Sequence, residues 1–219
     1  MIRLVDLTKT FFVDGRPTTV VDAANLTIPS GVSVGLLGRN GAGKSTLMQI
    51  ISGTMRPTSG RVETTGRISW PVGFRGGYHS DLTGAQNARF VARIYGRDTE
   101  ELIAFVDDFA ELGPHLYQPL RTYSQGMRAR LAFGISMGIP FDTYLIDEVM
   151  SVGDRSFRAK SQALMRDRLE KSGAIIVNHS TNALRRNCEA GIVLEKGKLF
   201  YFDDIEDAIA IHDQILDAG

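Results

Sequence analysis

Gly38, Gly43, Lys44 and Ser45 stand at the fixed positions of G-x-x-x-x-G-K-[ST] in the run Gly38-Arg39-Asn40-Gly41-Ala42-Gly43-Lys44-Ser45-Thr46. Such a run suits a backbone that must curl around phosphate oxygens. Glycine permits positive φ and carries no Cβ to block close approach. Successive N–H groups then point inward, and the helix that follows presents its positive end to the anion. Lys44 supplies a point charge for the β- and γ-phosphates, and the Ser45 hydroxyl is a ligand suited to Mg²⁺. Asn40, Gly41, Ala42 and Thr46 complete the expected nucleotide-binding set.

Two further groups could act on the same phosphates. Tyr144-Leu145-Ile146-Asp147-Glu148 reads as an apolar strand ending in two carboxylates. In a parallel sheet the C-terminal ends of the strands open onto one crevice. Asp147 is therefore expected to reach Mg²⁺, directly or through water, and Glu148 to polarise the water that attacks the γ-phosphorus. His179 follows a second apolar strand, Ile175-Ile176-Val177-Asn178, and is expected at the γ-phosphate from the same crevice. His79, His115 and His212 have no such setting and read as surface residues.

These side chains need a sheet to position them, and the apolar runs supply one. Val32 to Leu37 is a buried strand before the loop; Leu47, Ile50 and Ile51 follow it at helical spacing, with Gly53 as a stop. Ahead of it, Ile2 to Leu7 and Thr18 to Ile28 read as antiparallel strands joined across Asp14-Gly15. Phe11 and Phe12 fall near that turn, and as neighbours on a strand they face opposite sides. Gly60 to Ile68 reads as one strand, followed by a structured loop from Trp70 to His79.

Two helices come next, one carrying Phe90, Val91, Ile94 and Tyr95, the other Ile103, Val106, Phe109 and Leu112, with Gly113-Pro114 as a stop. They interrupt the alternation of strand and helix. Ser124 is placed to cap a helix that runs to Met137 and ends by Pro140. A βαβ unit spans Tyr144 to Val177 with its helix at Arg155 to Leu169. Ile192 to Leu194 and Leu199 to Tyr201 make a hairpin through Lys196-Gly197, and Asp203 to Ala218 is a polar helix. The expectation is a single α/β domain over 1–219 in which a helical subdomain, about 80–140, is inserted into a P-loop core.

Composition narrows the class. The chain has 219 residues, 43% apolar and 23% charged, as expected of a soluble α/β protein. Its 25 basic and 25 acidic residues balance, so no net field draws nucleic acid. The single cysteine, Cys188, excludes an internal disulfide and reads as a structural thiol in a reducing compartment. Met1 leads straight into a charged strand, which is not a signal peptide. The longest uncharged stretch, Ala23 to Gly38, is broken by Asn25, Pro29, Ser30 and Gly31, and falls short of the ~20 apolar residues of a membrane span. Any service to a membrane is expected from the cytoplasmic side, through a partner.

In the order P-loop, Thr122-Tyr123-Ser124-Gln125-Gly126-Met127-Arg128, Asp-Glu strand and His strand, the chain resembles the ATP-binding cassette family. Tyr123, Ser124, Gln125, Gly126 and Met127 stand where that family has its Leu-Ser-Gly-Gly-Gln signature, with Ser124 and Gly126 retained. The resemblance implies a P-loop ATPase fold of that type: a mostly parallel core sheet, an antiparallel β subdomain and a helical subdomain. It implies ATP and Mg²⁺ as ligands. It also implies a homodimer in which the signature helix closes on the γ-phosphate of the opposite subunit. Ser151 and Asp154 match the D-loop that crosses that interface, and Phe11 falls at the adenine-stacking position.

Within the family, Ile68-Ser69-Trp70-Pro71-Val72-Gly73, Leu82-Thr83-Gly84, Phe90-Val91-Ala92-Arg93 and Asp147-Glu148-Val149 resemble the ATP-binding subunit of capsular polysaccharide exporters. That implies a peripheral protein at the cytoplasmic face of a bacterial inner membrane. Its partners would be two copies of an integral permease and, through them, periplasmic and outer-membrane export proteins. One departure stands out: Gly73 occupies the place of the glutamine that most cassettes direct at Mg²⁺, leaving the metal to Ser45, Asp147 and water. Export of O-antigen or teichoic acid is the nearer alternative. A soluble cassette acting on nucleic acid or the ribosome is the more distant one, disfavoured by the balanced charge.

Overall fold

Buried Ile2, Leu4 and Leu7 alternate with exposed neighbours and set the first strand, β1 (Ile2–Val13), against β2 (Arg16–Ile28). β1 continues past the expected end at Leu7, because register shifts between Leu4 and Thr10 absorb the broken alternation. Asp14 and Gly15, both at positive φ, make the tight turn between the strands. The computed structural model describes residues 1–72, 77–147 and 155–218. β3 (Ser33–Leu37), buried at every position, leads through the P-loop into α1 (Lys44–Ile51).

The single strand expected over 60–68 is two strands, β4 (Ser59–Thr64) and β5 (Ile68–Pro71). Gly66 breaks it at φ 98°, where an added Cβ would lie 2.8 Å from an Asp142 carboxylate oxygen. Arg67 N–H then donates to Asp142 Oδ2 at 2.7 Å, turning the chain toward a different sheet.

Three helices follow: α2 (Gly84–Ile94), α3 (Thr99–Ala110) and α4 (Gln125–Gly138). Thr83 caps α2 in a reciprocal capping box with Gln86, and Asp98 caps α3. α3 stops before Leu112 because Glu111 takes the left-handed conformation at its end; Gly113-Pro114 opens a short 3₁₀ turn instead. On α2, Phe90 and Ile94 are largely exposed rather than core residues. After α4 come β6 (Thr143–Asp147), α5 (Arg155–Leu169), β7 (Gly173–Val177), α6 (Thr181–Asn187), β8 (Ala190–Glu195), β9 (Lys198–Phe202) and α7 (Ile205–Asp217).

The chain divides into two units. The first comprises Met1–Pro71, Phe141–Glu148 and Leu169–Gly219. It holds an antiparallel sheet in the order β2-β1-β4 and a second sheet in the order β5-β6-β7-β3-β8-β9. The second sheet is parallel except for the β8–β9 hairpin at its edge. Leu4, Leu7 and Ile28 of the small sheet share one core with Val34, Leu36, Leu145, Ile175 and Ile192 of the large one and with Leu47 and Met48 of α1. Each such side chain contributes about 1.5–3 kcal/mol when buried. The second unit, Val72–Pro140 and Val149–Arg168, is built among its described residues from α2, α3, α4 and most of α5. Phe109 of α3 sits at its centre, its ring centroid 5.6 Å from that of Phe133 and 5.4 Å from that of Phe157.

Candidate functional site

The P-loop joins the central strand β3 to α1, and three of its glycines are needed for their backbones. Gly38, Gly41 and Gly43 all lie at positive φ. A Cβ on Gly38 would stand 2.5 Å from the Leu194 carbonyl oxygen, and one on Gly43 would stand 2.9 Å from Val20 Cβ. The Lys44 ammonium arches back over the loop and donates to the carbonyls of Gly38 at 2.6 Å and Arg39 at 3.0 Å. α1 has no acidic residue in its first turn, so its positive end is left for an anion.

Asp147 ends β6, two places from β3 in the sheet, with β7 between them. The Ser45 hydroxyl donates to Asp147 Oδ2 at 3.2 Å, which puts two side-chain oxygens side by side at the helix start. Such hard oxygens suit Mg²⁺ better than a softer metal. Among the described residues no cluster of three or more His, Cys, Asp or Glu offers a site made of protein groups alone. A cleft of about 310 Å³ gathers Asn40, Gly41, Gly43, Lys44, Ser45, Thr46, Asp147 and His179, with Val20 on its wall. His179 lies two residues beyond the end of β7 and is exposed. The structure thus brings together the P-loop, Asp147 and His179.

His212 is not a surface residue. It sits half-buried on the inner face of α7, in the wall of an adjoining cleft of about 430 Å³ with Gly38, Arg39, Lys44, Asn178 and His179. Its Nδ1 is buried, with no hydrogen-bond partner among the described residues. Burial lowers the imidazole pKa and the nearby Lys44 charge lowers it further, while Asp213 and Glu195 act the other way. A helical-period reading would have found it: Ile205, Ala208, Ile209 and His212 fall on one stripe.

Phe11 stands opposite Thr18 in the β1–β2 ladder, half-buried, with the Lys9 ammonium 4.9 Å from its ring centroid. Thr18 lines a third cleft, about 710 Å³, with Thr19, Val20, Arg39 and the Glu195–Gly197 turn; Phe11 is not part of that wall. Phe12 is the exposed member of the pair, at 75%. Glu148, Ser151 and Asp154, expected as base and D-loop, lie outside the described residues, as does Gly73.

The residues at the signature position belong to the second unit. Ser124 caps α4 by accepting from Met127 N–H at 3.2 Å, and Gln125 and Gly126 are exposed in its first turn. Gln125 therefore meets no steric objection as the first helical residue. Tyr123 is buried, its hydroxyl donating to the His115 carbonyl at 2.5 Å, and burial raises its pKa. A Cβ on Gly84 would lie 2.6 Å from that hydroxyl, so a glycine is required where α2 meets Tyr123. Ser124, Gly126 and Met127 line a shallow cleft of about 350 Å³ with Glu111, His115 and Arg130.

Comparison with known proteins places this geometry. The family model described as "ABC transporter" matches residues 21–151. The polysialic acid transport ATP-binding protein KpsT of Escherichia coli is 44% identical over 95% of this chain and 95% of its own length. The capsule polysaccharide export ATP-binding protein CtrD of Neisseria meningitidis is 40% identical over 98% of this chain and all of its own. In fold, the chain is similar to the ATP-binding cassette MJ0796, solved as a dimer with ADP and Pi. That match has a TM-score of 0.77 at 21% identity and covers 94% of this chain and 99% of the other. With a family model over most of its length and relatives this similar from end to end, the chain belongs to the ABC transporter family, as one of its cassette ATPases.

Proposed function

We propose that this chain is the ATP-hydrolysing subunit of an exporter that moves capsular polysaccharide across the bacterial inner membrane. It works at the cytoplasmic face as a homodimer, paired with two copies of an integral permease. The observation that carries the catalytic reading is the Ser45–Asp147 contact inside the cleft of Lys44 and His179. The end-to-end likeness to proteins named for polysialic acid and capsule export supports the choice of substrate class.

In this reading 1–219 acts as one nucleotide-binding domain with the helical segment, about 80–140, inserted in its core. The P-loop amides and Lys44 bind the phosphates of ATP. Ser45 and Asp147 would hold Mg²⁺ with water, and the ion would supply charge neutralisation for the phosphoryl group being transferred. Glu148, next in sequence after Asp147, activates the attacking water, and His179 orients the γ-phosphate. Phe11 stacks on the adenine. Tyr123 to Met127 serve the nucleotide of the partner subunit, with Ser151 and Asp154 at the crossing. The reaction asks for positioning and charge neutralisation more than covalent chemistry.

Two measurements test this. Glu148→Gln is expected to lower kcat roughly 10²–10⁴-fold with nucleotide affinity retained; a wild-type rate removes the base assignment. Capture of the chain from solubilised host membranes should bring down a multi-span permease and envelope export proteins. Recovery only with ribosomal or DNA-bound proteins would overturn the export reading.

A further inference from the structure

Asn87 is 1% exposed inside α2, a place where a polar, helix-indifferent side chain needs a reason. Its amide reaches back past the helix start. Oδ1 accepts from His79 N–H at 2.9 Å, while Nδ2 donates to the carbonyls of His79 at 3.2 Å, Leu82 at 3.4 Å and Thr83 at 2.9 Å. One buried side chain thus holds both backbone groups of His79 and uses nearly all its hydrogen-bonding capacity on a single loop.

The other edge of that loop is paired to the run that enters α4. Leu120 N–H donates to Leu82 O at 3.0 Å and Arg121 N–H to Ser80 O at 2.8 Å, with a β-bridge between Thr83 and Pro119. The Arg121 guanidinium meets Asp81 at 2.7 Å. Two residues further on, Tyr123 is fixed by its bond to His115 O and by contact at Gly84, the first residue of α2. The segment His79 to Thr83 is therefore clamped between α2 and the strap that ends at Ser124.

We propose that Asn87 is a positioning residue for hydrolysis: through His79–Thr83 and Leu120–Tyr123 it fixes where Ser124 and the first turn of α4 stand. This rests on the reading of Ser124 to Met127 as the group that meets ATP. Asn87 touches no nucleotide. Its loss lets the clamp slacken, and a displacement near 1 Å at a positioning group can cost about a hundredfold in rate.

The test compares Asn87→Ala, Asn87→Asp and Ser124→Arg in the purified full chain by kcat, KM for ATP, ADP affinity and circular dichroism. Asn87→Asp keeps the shape but turns a carboxylate oxygen toward three carbonyls. Both Asn87 variants should lower kcat roughly ten- to a hundredfold, with ADP affinity within about twofold of wild type and native helix content. Unchanged kcat, or affinity falling in step with kcat, overturns the proposal. Where the Asn87 variants fail to fold, Arg121→Asp and Asp81→Arg decide: each alone should lower kcat and the pair restore it, and absence of restoration overturns the clamp. A Ser124→Arg chain with full kcat sinks the signature reading itself. An inactive Ser124→Arg chain beside fully active Asn87 variants sinks this inference alone.

Discussion

Ser45 and Asp147 lie 102 residues apart in sequence and 3.2 Å apart in space, hydroxyl donating to carboxylate. The contact exists because β7 alone separates β6 from β3, so the end of one strand and the helix following the other face the same cleft. Asp147→Asn keeps an acceptor for Ser45 while removing the charge. It is expected to cut Mg²⁺-dependent ATPase by roughly a hundredfold or more, in line with the several kcal/mol of charge stabilisation that metal ligation supplies. Ser45→Ala should lower activity less, since water can take the place of a hydroxyl. Turnover titrated against Mg²⁺ checks both; equal, wild-type Mg²⁺ dependence in the two variants would remove the ligand assignment.

Gly38 carries φ 152° and faces the Leu194 carbonyl. Gly38→Ala puts a methyl 2.5 Å from that oxygen, and backbone cannot swing away as a long side chain can. A destabilisation of about 1–3 kcal/mol is expected, together with loss of nucleotide binding as the loop shifts. Denaturant unfolding and a fluorescent-nucleotide titration read the two effects separately. Gly41→Ala, with open space around its Cβ position, should cost less.

Folding depresses the His212 pKa through burial and the Lys44 charge. The folded state therefore disfavours the imidazolium more than the unfolded chain does. The stability this contributes is present above the unfolded pKa of about 6.5 and is lost as pH falls through the folded value. His212→Leu should flatten the loss of thermal stability between about pH 7 and 5. A melting series with the same acid slope in both proteins would show that His212 does not contribute.

Cys188, the residue that ends α6, is buried, and desolvation, helped by Glu189, pushes its thiol up to about 12. It stays protonated where an unfolded cysteine, near 8.5, ionises. Stability from this group is full below about 8.5 and falls as pH rises from there toward 12. At pH 9 a thiol reagent should label the folded chain far more slowly than the denatured one. Equal labelling rates would contradict the burial.

What the sequence determined by itself is local. The G-x-x-x-x-G-K-S spacing, the apolar runs that end at Asp147 and ahead of His179, and the Ser124 cap are each written in a few adjacent residues, because turns, caps and strand ends are set by near neighbours. From these, together with the family likeness, the α/β class and the cassette fold were legible. What only the tertiary structure decided is which partner each face meets. Residues 60–68 split into two sheets because Asp142, 75 residues on from Arg67, captures its amide. His212 turned inward because α7 packs on β8 and β3. Asn87, unremarkable in a helical pattern, became the pin of a loop because His79 and Thr83 fold back over it. Periodicity shows that a residue points inward; what it meets there depends on chain far away in sequence.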